Sequence, residues 1–313
     1  MSRRPDPQLI DAARGAALWS RLTVSGIPEE RADAWIDAWD AYATRAFPGT
    51  RGTGKPAGRG SLRSVRRAGG PHRSSRRAST MAERVVLIGC GGIGSQLLDP
   101  LCRYLAHRPE PRPLLVLVDG DTFEAGNLNR QACTPRDLGT NKAEALARVA
   151  RDAGVACQAI GEHVDGTNVR QIVREGDVVL LAVDNHRTRA LIDRHVVSLD
   201  NATLISGGND ETDGNVQLVR RRDGWSLDGH LTEIHPEIGE AADGEERAEP
   251  GCQVLAAERP QLLVTNLMVA SAMLNALWQV VESGSVPYSE VFLDVIQNVA
   301  RPRRWFRLRP GEQ

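Results

Sequence analysis

Four groups of residues in this 313-residue chain have types and spacing suited to chemistry. The first is the run Val85-Val86-Leu87-Ile88-Gly89-Cys90-Gly91-Gly92-Ile93-Gly94-Ser95. Glycines 89, 91 and 94 give a G-x-G-x-x-G spacing between an apolar run and a helical pattern. Such a turn lets a phosphate approach the backbone, and the next helix aims free N–H groups and its positive dipole end at that phosphate. The second group is Asp119-Gly120-Asp121, which closes the next apolar run. An acidic residue there hydrogen-bonds a ribose in nucleotide folds, so Asp119 reads as a ribose ligand or, more plainly, as a loop cap. These two groups alone suit an NAD enzyme equally well.

The third group shifts the balance. Asn127-Leu128-Asn129-Arg130-Gln131 and Asn141-Lys142-Ala143 add two cations and several amides. Their charge suits a triphosphate better than a dinucleotide pyrophosphate, with Arg130 forking onto phosphate oxygens and Lys142 acting as a point charge. Of 39 cationic residues only Lys55 and Lys142 are lysines, which invites a chemical reason for Lys142. The fourth group, Asp184-Asn185, closes another apolar run. Asp184 can hold Mg²⁺ between protein and phosphates, or cap a helix.

The elements that must position these groups alternate. Apolar runs at 85–90, 114–119 and 177–183 read as strands buried on both faces of a parallel sheet. Helical patterns lie at 93–107, 141–153 and 186–199, with a weaker strand at 155–161. The predicted class is α/β, a doubly wound, mostly parallel Rossmann-like sheet with ligands at the carboxyl ends of its strands. Further on, 215–221 alternates as a solvent-facing strand and Gly224-Trp225 marks a turn. Residues 228–251 are acidic and loop-like, within a crossover segment 226–258. A long helix is expected over 260–282, its apolar pattern carried by Leu263, Leu267, Leu274 and Trp278. Apolar 291–296 and a basic, stranded tail at 301–309 follow.

Two segments precede the compact domain, 81–313. Residues 1–48 read as a helical appendage, in which Trp35, Trp39 and Tyr42 share one face. Residues 49–80 are rich in Gly, Ser and Arg and are expected to be a disordered linker. Within it, 51–80 holds nine Lys/Arg and no Asp/Glu, leaving the rest of the chain at −10 out of an overall −1. An acidic body argues against nucleic acid as a partner, except through that basic linker. Five cysteines without a C-x-x-C pair suit a reduced, cytoplasmic setting. No signal peptide is evident, and no run approaches the ~18–20 apolar residues of a membrane span.

Taken in order, these motifs resemble the ThiF/MoeB family of ubiquitin-activating-enzyme-like adenylyltransferases, over roughly residues 82–300. Pro250-Gly251-Cys252 and the following helix look most like ThiF-family proteins of the bacterial PRTRC system. The resemblance implies that a ubiquitin-like protein or peptide presents its C-terminal carboxylate to the α-phosphate of ATP, giving an acyl-adenylate and pyrophosphate. It places Arg130 and Lys142 on the phosphates, Asp184 on Mg²⁺, Asp119 on the ribose and Asn127 against the phosphates. Gly89, Gly91, Gly92, Gly94, Asp121, Asn129, Gln131 and Asn185 complete the implied nucleotide site, and a homodimer is implied as well.

The chain departs from the family pattern in three places. It lacks the paired C-x-x-C motifs that hold a structural zinc in many relatives, so no zinc is expected. The serine often found before the N-L motif is Gly126. The N-terminal segment that sends an arginine into a partner's site is replaced by the basic linker and an unfamiliar helix pair. Cys252 ends the acidic loop ahead of a helix whose dipole would lower its pKa, so it reads as a nucleophile for acyl transfer; Glu246 and Glu249 oppose that, and the plain alternative is an inert thiol. Cys90 and Cys133 read as small fillers, Cys102 and Cys157 as core, and His230 and His235 as loop or surface histidines. An NAD-linked oxidoreductase, a non-catalytic nucleotide-binding scaffold, and an enzyme adenylating a tRNA-borne group or a short peptide stay open as alternatives.

Overall fold

A computed structural model describes residues 82–243, 261–283 and 286–304. The expected N-terminal helices, the basic linker, Cys252 with the later part of the acidic loop, and residues 305–309 of the tail lie outside the described residues.

The α/β alternation read from the sequence is present. In chain order the elements are β1 (Arg84–Ile88), α1 (Gly92–Ala106), β2 (Leu114–Val118), α2 (Lys142–Asp152), β3 (Cys157–Ile160), α3 (Val169–Ile172), β4 (Val178–Leu181) and α4 (His186–Val197). Then come β5 (Ala202–Asn209), β6 (Asp213–Arg222), β7 (Trp225–Ser226), α5 (Leu231–Ile234), α6 (Pro236–Asp243), α7 (Gln261–Ser283), β8 (Glu290–Asp294) and β9 (Val299–Arg303). One nine-stranded sheet runs β3-β2-β1-β4-β5-β6-β8-β9, with β7 paired to β6. Strands β3, β2, β1, β4 and β5 are parallel, and β6, β8 and β9 continue the sheet antiparallel. The chain reverses direction across the sheet between β1 and β4, the position where open α/β sheets bind ligands.

The parallel strands are apolar throughout because both of their faces are covered. Val85, Leu87, Leu115, Leu117, Leu180 and Ile205 join α1, α2 and α7 in one core. Their alternates Val86, Ile88, Val116, Val118, Val179 and Leu204 join α3, α4, α5 and α6 in the other. Each fully buried aliphatic side chain contributes roughly 1.5–3 kcal/mol by leaving water. Strand β6 was expected to face solvent on one side. Instead Val216 to Val219 are all buried, because the strand lies between β5 and β8 with α7 packed on it. The turn at Asp223-Gly224 takes positive φ at both residues (52° and 79°), the geometry of a tight hairpin.

Helix α7 also differs from its sequence reading. Leu267 and Trp278 are 45% and 50% exposed, and the buried side is Thr265, Asn266, Val269, Ala270, Met273, Ala276 and Leu277. Small residues on that side let the helix sit close to α1 and to the glycines of β5 and β6. A Cβ on Gly207 would lie 2.4 Å from the Met273 sulfur, and one on Gly214 would lie 2.6 Å from Val269. By length and composition, Leu263–Ser283 is apolar enough to cross a membrane, contrary to the expectation of no such run. Here its contacts with α1, β5, β6 and β8 make it a core helix of this fold.

The start of the expected acidic loop is helical. Asp193 of α4, 1% exposed, accepts hydrogen bonds from the Leu231 and Thr232 amides and the Thr232 hydroxyl, which starts α5. Fully buried Asp228 takes both arms of Arg220 and the Ser289 hydroxyl. His235 is no loop bystander either. Its Nε2 lies 2.6 Å from Oε1 of fully buried Glu290, and its Nδ1 lies 3.0 Å from Glu237 Oε1.

Only the imidazolium form donates from both ring nitrogens, so Glu290 first and then Glu237 raise the His235 pKa above its usual 6.5, against burial. A histidine with a raised folded-state pKa stabilises fully below its unfolded pKa, and that contribution fades as pH climbs through the folded value. Thermal midpoints are therefore expected to fall as pH rises above 6.5. Substituting His235→Gln should flatten that limb; an unchanged slope in the variant would refute the assignment.

Candidate nucleotide site

The glycine loop connects β1 to α1 with no room to spare. Gly89 has φ +92°, and a Cβ there would lie 2.7 Å from the Ala182 carbonyl carbon and oxygen at the end of β4. A Cβ on Gly94 would lie 1.9 Å from the Gly89 oxygen. By contrast, the nearest atom to a Cβ on Gly91 is Gln131 Nε2 at 3.9 Å, so the loop is open there. A Cβ on Gly92 would meet Asn266 of α7 at 2.5 Å; sequence reasoning did not bring Asn266 to this loop.

Asp119 fastens this loop. One of its carboxylate oxygens accepts from the Cys90 amide (2.7 Å) and the other from the Asp121 amide (2.8 Å). Burial raises its pKa, and these two N–H groups oppose that rise. The same side chain thus braces the phosphate loop and its own turn, with lone pairs remaining for a ribose hydroxyl. The two readings of Asp119, ligand and cap, are compatible.

Lys142 comes from the start of α2, stapled back onto the turn after β2. Asn141 Nδ2 donates to the Asp119 and Asp121 carbonyls, and its Oδ1 caps the Glu144 amide. Buried Phe123 locks the same turn through backbone bonds with Thr140 and Gly139. Lys142 Nζ then lies 3.0 Å from Asp121 Oδ2 on the wall of a cleft of about 330 Å³, with Gly120, Thr122 and Glu124. His163, following β3, approaches the other Asp121 oxygen at 3.5 Å.

The Asn127–Gln131 segment is held against α1. Ser95 Oγ accepts from the Ala132 amide, and Gln96 Nε2 donates to the Arg130 carbonyl. Arg130, 8% exposed, donates through Nη1 to the Gly126 carbonyl (2.8 Å) and to Asn129 Oδ1 at 3.4 Å. Asn127 is buried and its Oδ1 accepts from the Glu124 amide. Gln131 is buried beside Gly91, and its Oε1 has no hydrogen-bond partner among the described residues. A buried amide oxygen left unpaired is costly, so this atom wants a donor from a ligand or water.

Asp184 is exposed just past β4, and Asn185 caps α4 through its Oδ1 to the Thr188 amide. Arg189 was missed by sequence reasoning. It folds beneath this loop, donating to the Val183 carbonyl from Nε (3.2 Å) and Nη2 (2.8 Å) and to the Gly207 carbonyl from Nη2 (3.2 Å). Burial lowers its pKa, while Asp184 and Asp210 raise it. The signal available in the sequence was a cation in the first turn of a helix, where the dipole disfavours it.

Among the described cysteines, Cys90 and Cys102 are buried and Cys133 and Cys157 half-buried, so Cys157 is less enclosed than expected. Burial pushes the thiols of Cys102 and Cys157 up to about 12 and about 11, and that of Cys90 well above its usual value.

The glycine loop, the Asp119 turn, Lys142, the Asn127–Gln131 segment and Asp184 all stand at the carboxyl ends of β1, β2 and β4. That arrangement is a Rossmann-like α/β fold with its candidate ligand residues at the carboxyl ends of the strands. Residues 71–306 match the ThiF family, and the chain belongs to that family. It is 36% identical over 130 residues to the SAMP-activating enzyme E1 of Haloferax volcanii, covering 41% of this chain and 46% of that protein. It is 33% identical over 126 residues to adenylyltransferase and sulfurtransferase MOCS3-1 of Zea mays, covering 39% of this chain and 25% of that protein. The chain thus spans less than half the length of these relatives. Among solved structures, E. coli MccB with AMPCPP and MccA has a TM-score of 0.56 at 17% identity, over 74% of this chain and 65% of that one. PaaA has a TM-score of 0.52 at 19% identity, over 74% and 66%. At these identities the likeness is one of fold.

Proposed function

We propose that this protein is an adenylyltransferase that uses ATP and Mg²⁺ to activate the C-terminal carboxylate of a ubiquitin-like protein or peptide. The observation that carries this reading is that the glycine loop after β1, the Lys142 turn after β2 and Asp184 after β4 lie at the carboxyl ends of three adjacent parallel strands, with the Arg130 segment held to α1. An NAD-linked oxidoreductase has no use for Arg130, Lys142 and Asp184 together.

The residues suit the groups they would hold. The open backbone at Gly91, the N-terminus of 15-residue α1 and the unpaired Gln131 oxygen fit a nucleotide with both acceptors and donors. No group of three or more His, Cys, Asp or Glu side chains placed to hold a metal ion is present among the described residues. A single carboxylate, Asp184, suits Mg²⁺, which is held by one or two carboxylates together with substrate phosphates. When bound, the ion would neutralise phosphate charge. Asp119 would orient the ribose, while Arg130 and Lys142 would bind and polarise the phosphates.

A C-terminal carboxylate is already anionic at neutral pH, so no general base is required. Its oxygen attacks the α-phosphorus, the bond to the bridging oxygen of the β-phosphate breaks, and pyrophosphate leaves. The protein's contribution is alignment and compensation of the charge developing on the leaving group. The relatives' names, a SAMP-activating E1 and an adenylyltransferase, support this class of reaction. The exposed row of Val264, Leu267 and Trp278 on α7 supports the proposed homodimer. Transfer of the acyl group to Cys252 is a further part of the proposal.

Partner-dependent exchange of labelled pyrophosphate into ATP tests the reading. Asp184→Ala and Arg130→Ala are each expected to lower exchange by about 10²-fold or more. Exchange at the parent rate in both variants would overturn the assignment of these residues.

A further inference from the structure

Arg189 stands where local preference opposes it. It is the fourth residue of α4, in the first turn, where the helix dipole repels a cation. It is also half-buried, and its guanidinium makes no ion pair within 4.0 Å among the described residues. Residues that break a local rule at a strand end are those expected to serve a site.

The contacts say how. Nε and Nη2 converge on the carbonyl of Val183, the residue before Asp184, and Nη2 also reaches the carbonyl of Gly207 in β5. One planar fork therefore ties the loop after β4 to the neighbouring strand, whose register pairs Leu181 with Ser206. A Cβ on Gly208 would lie 2.6 Å from Nη1 and 2.8 Å from Nη2, so a side chain there would push the fork off its carbonyls. Asp184 and Asp210, on the loops after β4 and β5, feel the guanidinium electrostatically without bonding to it. The clamp grips main chain and leaves the Asp184 carboxylate unengaged.

We infer that Arg189 is the positioning residue for Asp184: by bonding the Val183 and Gly207 carbonyls it fixes the Asp184 loop and keeps that carboxylate free for a divalent cation. The inference rests on the reading of Asp184 as the Mg²⁺ carboxylate. Lysine lacks the second nitrogen that doubles the Val183 contact and the planar frame that fixes the direction of both bonds, so its ammonium holds the loop less firmly.

The test uses the full chain, Mn²⁺ as a spectroscopic stand-in for Mg²⁺, and non-cleavable α,β-methylene-ATP. Protein-bound Mn²⁺ is followed by electron paramagnetic resonance, and metal-free nucleotide binding is titrated separately. Arg189→Lys and Arg189→Gln are expected to weaken Mn²⁺ binding in the ternary complex about tenfold or more, the usual cost of losing a residue that orients a metal ligand. Metal-free nucleotide affinity should stay at the parent value, which a general collapse of the site would not allow. Gly208→Ala keeps the charge and displaces the fork, so it should reproduce the metal defect even if the Arg189 variants fail to fold.

Parent-like Mn²⁺ affinity in folded Arg189 variants or in Gly208→Ala, alongside a loss in Asp184→Ala, overturns the inference alone. Parent-like affinity in Asp184→Ala overturns both the inference and the reading beneath it.

Discussion

Gly94→Ala is expected to destabilise the protein by roughly 1–3 kcal/mol or more and to weaken ATP binding by about 10²-fold. The sign is informative, because alanine inside a helix normally gains about 0.5–1 kcal/mol over glycine. At this position the new methyl would lie 1.9 Å from the Gly89 oxygen and 2.9 Å from its carbonyl carbon. Those are backbone atoms, which no rotamer change can move. Gly89 cannot retreat, since its amide donates to the Val118 carbonyl at 2.9 Å and its Cα faces the Ala182 carbonyl at the end of β4. Helix α1 would have to back away from the sheet, carrying Ser95 and Gln96, and with them the segment that presents Arg130. Gly126→Ala is the control, since no atom of the described residues lies within 4 Å of a Cβ there. Urea unfolding and nucleotide titration of both variants decide the matter. A Gly94→Ala protein as stable as its parent would mean that the close approach is not what position 94 requires.

The parts of the fold legible in the sequence were those built from continuous apolar runs. Strands β1, β2 and β4 are buried on both faces, so nothing polar interrupts them, and each begins and ends within three residues of its expected limits. Helix α7 was legible as a helix but not in its orientation. It is apolar nearly all round, and two residues that carried its apolar pattern, Leu267 and Trp278, point away from the fold. Its packing is set by close approach to glycines in β5 and β6 and to Gly92 at the start of α1, a fit between distant residues that no local period encodes. The helical start of the acidic segment was hidden for another reason. Its anchors are polar and long-range, Asp193 with Leu231 and Asp228 with Arg220 and Ser289, so the segment looked like a solvated loop.

The candidate site divides along the same line. Glycine spacing and acidic strand ends are local and could be read directly. Arg189 could not, because in an arginine-rich chain a helical arginine five residues past Asp184 looks like a solvent-facing charge. Only the bonds to Val183 and Gly207 give it a role. Asp119 offered two readings, ribose ligand or loop cap, and its contacts with the Cys90 and Asp121 amides leave both in force.

Lys142→Ala is expected to lower partner-dependent adenylation by about 10²–10³-fold, roughly 3–4 kcal/mol of transition-state stabilisation, with little loss of fold stability. The two effects separate because of where the charges sit. Lys142 is nearly enclosed, with a side chain 10% exposed, while its partner Asp121 is 54% exposed. Removing the ammonium therefore leaves no buried unpaired carboxylate, the usual cause of a large stability loss on breaking an ion pair. The ammonium is also the first residue of α2, at the positive end of that helix, so folding gains little from it. Lys142→Arg is the sharper test. If the slot merely needed a cation, arginine would restore activity, and this chain uses arginine at 37 of its 39 cationic positions. The need for a compact point charge on the phosphates, which a planar guanidinium does not supply, predicts that it will not. Unfolding midpoints near the parent for both variants, with exchange lost in both, would fit a lysine retained for chemistry. Full exchange in Lys142→Arg would reduce Lys142 to an interchangeable positive charge.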